Sequence, residues 1–155
     1  MKKLIMTLLL VFTFSGTVFA EFPKYLYDNP DNVFIGEVNG VAIYVIKSRA
    51  IDPLESDEFK HLLKYDMLGG NCFWVKFNEK NSNVKTKVEV IPGLFYYENN
   101  SGKKKMYADN IRKGHYLNPN SQNEIDKILM LFGEALYQIK RNKPFYETIK
   151  IPYEL

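Results

Sequence analysis

The chain has 155 residues, 46% of them hydrophobic and 25% charged, proportions that suit a folded domain and exclude a disordered tail. Basic residues number 21 against 18 acidic ones, but Lys2 and Lys3 belong to a leader, which leaves 19 against 18. A balance so near neutral carries no electrostatic case for nucleic acid.

The leader comes first. Lys2 and Lys3 precede an apolar run over residues 4–14, and Val18-Phe19-Ala20 ends it with small residues at the −3 and −1 positions. This is the pattern of a secretory signal peptide over residues 1–20, and it predicts cleavage after Ala20 and export to the periplasm, the cell surface or the medium. The run is shorter than the roughly 20 residues a spanning helix needs, and no second long run follows, so no membrane span is expected after cleavage. Cys72 is the sole cysteine, which rules out an internal disulfide in an exported chain and reads as a small buried hydrophobe.

Residues 21–31 read as an extended arm with Pro23 and Pro30, available to add to a neighbour's sheet. Residues 32–155 form one domain. Two strand-like runs flank Asn39-Gly40, the dipeptide that supplies the two positive φ values of a type I′ hairpin. Along the second run Ala42, Tyr44 and Ile46 face one way and Val41, Ile43 and Val45 the other. Both faces are apolar, which places that strand inside the sheet. Ser56 is positioned to cap a short helix carrying Phe59, Leu62 and Leu63, with Gly69-Gly70 ending it.

A meander follows. Strands are predicted over residues 73–78, 84–91, 94–98 and 104–108. Turns fall at Asn81-Ser82-Asn83, Pro92-Gly93 and Asn99-Asn100-Ser101-Gly102. Ser121 with Glu124 three residues on makes a capping box. Behind it Ile125, Ile128, Leu129, Phe132, Leu136 and Ile139 form one helical stripe, with Lys140 and Arg141 suited to the negative end of the dipole. Residues 146–151 alternate and predict an edge strand. The expected fold is α+β, an antiparallel sheet of about five to seven strands packed by a C-terminal amphipathic helix.

The chemistry-bearing residues are sparse. His61 and His115 are the only histidines, and no H-E-x-x-H or C-x-x-C spacing accompanies them, so neither a metal nor another cofactor is expected. Ser101 and Lys104 match S-x-x-K only in letters, because the serine sits in a hairpin turn rather than at a helix start. Asp57 with Glu58, and Glu124 with Asp126, are pairs of the kind glycosidase-like acid catalysis uses, but Asp57 and Glu58 fall in a first helical turn, where carboxylates favour the dipole. No catalytic residue is assigned. The surplus is aromatic: 11 Tyr and 11 Phe stand beside 1 Trp, more than a small core requires. Tyrosine joins apolar area to a hydrogen-bonding tip and is enriched at recognition surfaces. Tyr96 and Tyr97, with the Lys103, Lys104 and Lys105 hairpin, are therefore the candidate binding residues, although strand propensity and a solvated turn account for the same residue types.

The order of elements resembles the bacterial surface-adhesin protein E family. The resemblance rests on the leader, the strand at residues 41–47, Phe73-Trp74-Val75-Lys76, the hairpin from Tyr97 to Gly102, and Asn118-Pro119-Asn120-Ser121 opening the last helix. It implies a non-enzymatic exported protein that binds an envelope or host protein. The competing reading is a periplasmic enzyme or enzyme inhibitor built on His115, Asp109 and Cys72.

Overall fold

The computed structural model describes residues 22–55, 65–78, 80–109 and 114–155. The leader and the short helix expected from Ser56, with Asp57, Glu58 and His61, lie outside the described residues.

The fold is α+β. Six antiparallel strands lie side by side in chain order: β1 (Asn32–Val38), β2 (Val41–Ile46), β3 (Asp66–Asn78), β4 (Asn81–Asn100), β5 (Lys103–Ala108) and β6 (His115–Leu117). One helix, α1 (Glu124–Arg141), follows them. The hairpin between β1 and β2 forms as predicted, with φ of 48° at Asn39 and 79° at Gly40. The two positive values are what a type I′ turn demands. β2 is flanked by β1 and β3, an interior position as its two apolar faces require.

β3 and β4 are longer than the sequence pattern suggests, because two glycine-containing pairs do not break the chain. Gly69 and Gly70 belong to β3 rather than ending a helix, and Pro92 and Gly93 belong to β4, in register with Asn71 and Gly70. The reason is close approach. A Cβ on Gly70 would meet Leu136 Cδ2 at 2.6 Å, and one on Gly93 would meet Phe132 Cε1 at 2.5 Å and Phe95 Cε2 at 2.6 Å. These glycines are where the helix presses onto the sheet. Pro92 is tolerated in the strand because β5 pairs with β4 only from Phe95 onward, so the position lies outside that ladder. The expected turn at residues 81–83 is also displaced, since Asn78 pairs with Asn81 and the reversal comes earlier.

The sheet has a core on each face. On the helix face Ile35, Ile43, Cys72, Phe95, Met106 and Leu117 pack under Leu129, Phe132 and Leu136. On the other face Ala42, Tyr44 and Val75 pack with Leu26, Phe22 and Phe34. Residues 22–31 are therefore no extended arm. They fold over the sheet through a 3-10 turn at Leu26–Asp28, and the Tyr44 hydroxyl donates to the Pro23 carbonyl at 3.0 Å. Burial of Leu26 and Phe22 gains more than leaving them in water, which is why the segment docks on its own sheet.

Both ends of α1 are fastened by side chains. Asn123, not Ser121, is the N-cap, accepting from the backbone N–H of Ile125 at 2.9 Å and of Asp126 at 3.1 Å. The capping box read from Ser121 is thus out of frame, and Ser121 Oγ instead donates to Asp126 Oδ2 at 2.9 Å. Asn39 in the first hairpin donates to Glu124, and His115 Nε2 meets Asp126 Oδ1 at 2.8 Å. Both flanks of the sheet thereby reach the first turn of the helix. At the far end Arg141 grips Asp66 with two bonds of 2.6 and 2.8 Å and Asp52 with one of 2.7 Å. The fork geometry is the strong form of such a pair.

Residues 146–151 form no strand, and the sixth strand is β6. Their backbone is engaged elsewhere. Glu134, fully buried on α1, accepts from the N–H of Phe145 at 2.8 Å and of Tyr146 at 2.9 Å, while Lys104 Nζ donates to the Phe145 carbonyl at 2.7 Å.

Two expected outcomes follow from these contacts. Gly93→Ala forces a methyl into the Phe132 and Phe95 rings, and should lower stability by about 1–3 kcal/mol, read as a reduced urea midpoint at unchanged slope. Burial raises the Glu134 carboxyl above the ordinary value near 4.5, opposed by the bonds from Gln138, Tyr146 and Phe145. A raised folded value makes this group's contribution largest below pH 4.5 and smaller as pH climbs through the folded value. The stability of wild type relative to Glu134→Gln should therefore fall across that range, and a difference that rises with pH would contradict it.

Candidate functional site

Alternation on β4 separates the two predicted tyrosines. Tyr97 faces the helix, is 2% exposed, and donates its hydroxyl to the Gly133 carbonyl at 2.7 Å, so it supplies core rather than contact surface. Burial, with the nearby Glu134 charge, pushes its phenol well above the usual value. Tyr96 faces the opposite side, which α1 does not cover. There it stands in register with Tyr107 on β5, and Tyr107 with Tyr116 on β6. Three tyrosines on three adjacent strands thus form one transverse row, the outer counterpart of the buried row Tyr97, Met106 and Leu117.

Tyr65, just ahead of β3, stands across this row. Its ring is nearly perpendicular to Tyr96 (6.3 Å, 78°) and to Tyr107 (6.0 Å, 88°). Tyr107 and Tyr116 are 5.7 Å apart and tilted by 55°. Edge-to-face packing of this kind is the favoured arrangement of aromatic quadrupoles, so the rings hold one another in place. Two carboxylates fix the hydroxyls: Tyr96 donates to Asp109 at 3.0 Å and Tyr107 to Glu98 at 3.2 Å. Exposure is greatest at the ends of the cluster, 43% for Tyr116 and 37% for Tyr65. Of the hairpin lysines, Lys103 and Lys105 are exposed, and Lys105 is in register with Glu98 beside the row. Lys104 faces the other way and is committed to the Phe145 carbonyl.

Sequence reasoning reached Tyr96 but not its companions as a group. Tyr107 could be placed opposite Tyr96 only once the hairpin register was known. Tyr116 lies on a three-residue strand too short to leave an alternation signal. Tyr65 lies within the segment read as helix up to Gly69-Gly70, where no strand face could be assigned to it.

Of the three residues of the competing enzymatic reading, Asp109 and His115 adjoin where β5 ends and β6 begins, each bonded to a different partner. Cys72 lies in the core on the helix face, and burial pushes its thiol up to about 12. Among the described residues the Trp74 indole N–H has no hydrogen-bond partner. His115 is held by Asp126, and its buried Nδ1 has no partner among the described residues. Asp109 Oδ1 accepts from the Gly114 N–H at 2.6 Å, and its Oδ2 from Tyr96. Among the described residues no hydrogen bond joins any two of the three, and no group of three or more potential metal ligands is gathered.

Asp109 has a second position of interest. It lines a cleft of about 470 Å³ between the β4 edge and the first turns of α1, walled by Trp74, Ile91, Leu94, Ile125 and Leu129. Comparison with family models, curated proteins and solved structures finds no match.

The Tyr96–Asp109 bond has a measurable signature. Burial, then the bond to Asp109 and its charge, hold the Tyr96 phenol above 10.0. In Asp109→Asn the charge is gone and the burial stays, so the Tyr96 titration, followed by NMR of its ring carbons, should move down without reaching the free-tyrosine value. A titration that does not move would remove Asp109 from the site.

Proposed function

We propose that the protein is an exported, non-enzymatic binding protein that holds a protein partner, from the cell envelope or a host, against the tyrosine face of its sheet. The observation that carries this reading is the Tyr96–Tyr107–Tyr116 row with Tyr65 set across it, on the side of the sheet away from the helix. Tyrosine supplies large contact area with few rotatable bonds, which lowers the entropy lost on association. Here the rings are already ordered by one another and by Glu98 and Asp109, so binding has little further ordering to impose. The rings are crossed rather than coplanar, and the relief they form suits interdigitating side chains better than a flat ligand. Lys103 and Lys105 lie at the margin, where charges steer encounter more than they hold the complex. The leader-like residues 1–20 support export, and the adhesin-like order of elements supports binding at the envelope.

Two measurements test this. Mass analysis of the protein from fractionated cells should find a chain beginning at Glu21 outside the cytoplasm; a cytoplasmic chain retaining Met1 refutes export. For binding, wild type and the Tyr65→Ser/Tyr116→Ser double variant are compared as baits in envelope extracts and then against the isolated partner. Both positions are solvent-facing, so circular dichroism should be unchanged. Affinity should drop by roughly 30-fold or more, the loss expected from two anchor tyrosines. Equal affinity would mean that the tyrosine face is not the contact.

A further inference from the structure

We propose that the cleft between the β4 edge and the first turns of α1 is a binding site for an apolar amphiphile with a cationic head, of the class of a long-chain alkylammonium. The proposal does not need the tyrosine face to bind anything, although Asp109 serves both surfaces.

Size comes first. Protein interiors leave few voids larger than a water molecule, whereas this recess of about 470 Å³ lies within the range of ligand pockets. Its walls come from both layers of the fold: Trp74, Ile91 and Leu94 from the sheet, and Ile125 and Leu129 from the helix. The apolar stripe of α1 also continues past the part of the sheet it covers. Ile125 belongs to the same stripe as Leu129 and Phe132, yet it is 42% exposed, so the helix holds an unburied aliphatic side chain over the recess. Gly93 lies in the lining and cannot be enlarged to fill the space, because Phe132 and Phe95 already occupy the direction its Cβ would take. The cleft is kept open by the same packing that docks the helix.

Charge decides the class of ligand. Among the described residues of the lining, Asp109 is the one ionisable group. Its two oxygens are held in place by the Gly114 N–H and the Tyr96 hydroxyl, and among the described residues no cation is paired with it. Each carboxylate oxygen has a lone pair beyond the one those bonds use. A fixed negative charge beside apolar walls attracts an ammonium head and repels a carboxylate. The indole face of Trp74 is a further surface to which a cation is drawn.

Trp74 is the only tryptophan, so its emission reports on the cleft directly. The purified protein is titrated with decylammonium, decanol and decanoate, each kept monomeric. The expected result is a saturable change in Trp74 emission with affinity in the order decylammonium, decanol, decanoate, the first at least about tenfold tighter than the last. Asp109→Asn should abolish that preference while leaving decanol binding in place. Ile125→Ser, a change at an exposed position that does not threaten folding, should weaken all three. No saturable change in wild type overturns the proposal. So does equal affinity for the three ligands, the mark of indiscriminate detergent-like binding, or a preference that survives Asp109→Asn.

Discussion

The close seating of α1 on the sheet is the constraint from which the rest of the structure follows. Leu136 and Phe132 reach to where the Cβ atoms of Gly70 and Gly93 would lie, so any larger residue at either strand position forces the helix side chains to shift. Helix and sheet interdigitate at a distance that ordinary side chains would hold apart. Glycine in a strand weakens it locally through chain entropy, and here the loss is offset by the apolar area that Phe132, Leu136 and Leu129 bury. Each end of the helix is then pinned by polar contacts, Asn123 and Asp126 at the start and the Arg141 fork at the finish. The helix position is therefore set by packing along its length and by hydrogen bonds at its termini.

That seating also explains which features were legible in the sequence. Local signals read correctly where local chemistry decides: Asn39-Gly40 makes its hairpin, and the stripe from Ile128 to Leu136 is the buried face of the helix. The misread positions are those where a distant residue decides. Gly69-Gly70 and Pro92-Gly93 carry the composition of chain breakers, and only the rings and methyls of α1, many residues later, turn them into strand. Residues 146–151 have the alternation of a strand, but Glu134 takes the backbone donors of Phe145 and Tyr146 and turns the segment onto the helix instead. A buried glutamate within a helical stripe leaves no mark in an apolar periodicity. Nor can a basic residue in a last turn reveal that it forks onto two aspartates from elsewhere in the chain.

The candidate surface was half visible for the same reason. Adjacent tyrosines on a strand must point to opposite faces, which the sequence states plainly for Tyr96 and Tyr97. Which of the two is covered depends on where the helix lies, and which rings join the exposed one depends on register across two hairpins. The positive φ of 51° at Ser101 and 85° at Gly102 sets the β4–β5 register and with it the pairing of Tyr96 with Tyr107. A slip of one residue on β5 would turn Tyr107 under the helix and bring Met106 into water, while Tyr96 and Tyr97 stay as the β3 ladder sets them. The inner row of Tyr97, Met106 and Leu117 and the outer row of tyrosines are therefore specified together: burial of the first enforces display of the second.

The two surfaces of interest meet at Asp109. It follows the last residue of β5, at the point where that strand leaves β4, and the Asp109 N–H closes the ladder on the Leu94 carbonyl at 3.0 Å. Its carboxylate accepts from the Tyr96 hydroxyl and the Gly114 N–H, and the residue also lines the apolar cleft. The same residue in mid-strand would have to be buried or wholly exposed. The end of β5 thus sets one polar group at the boundary between the tyrosine face and the cleft beside the helix.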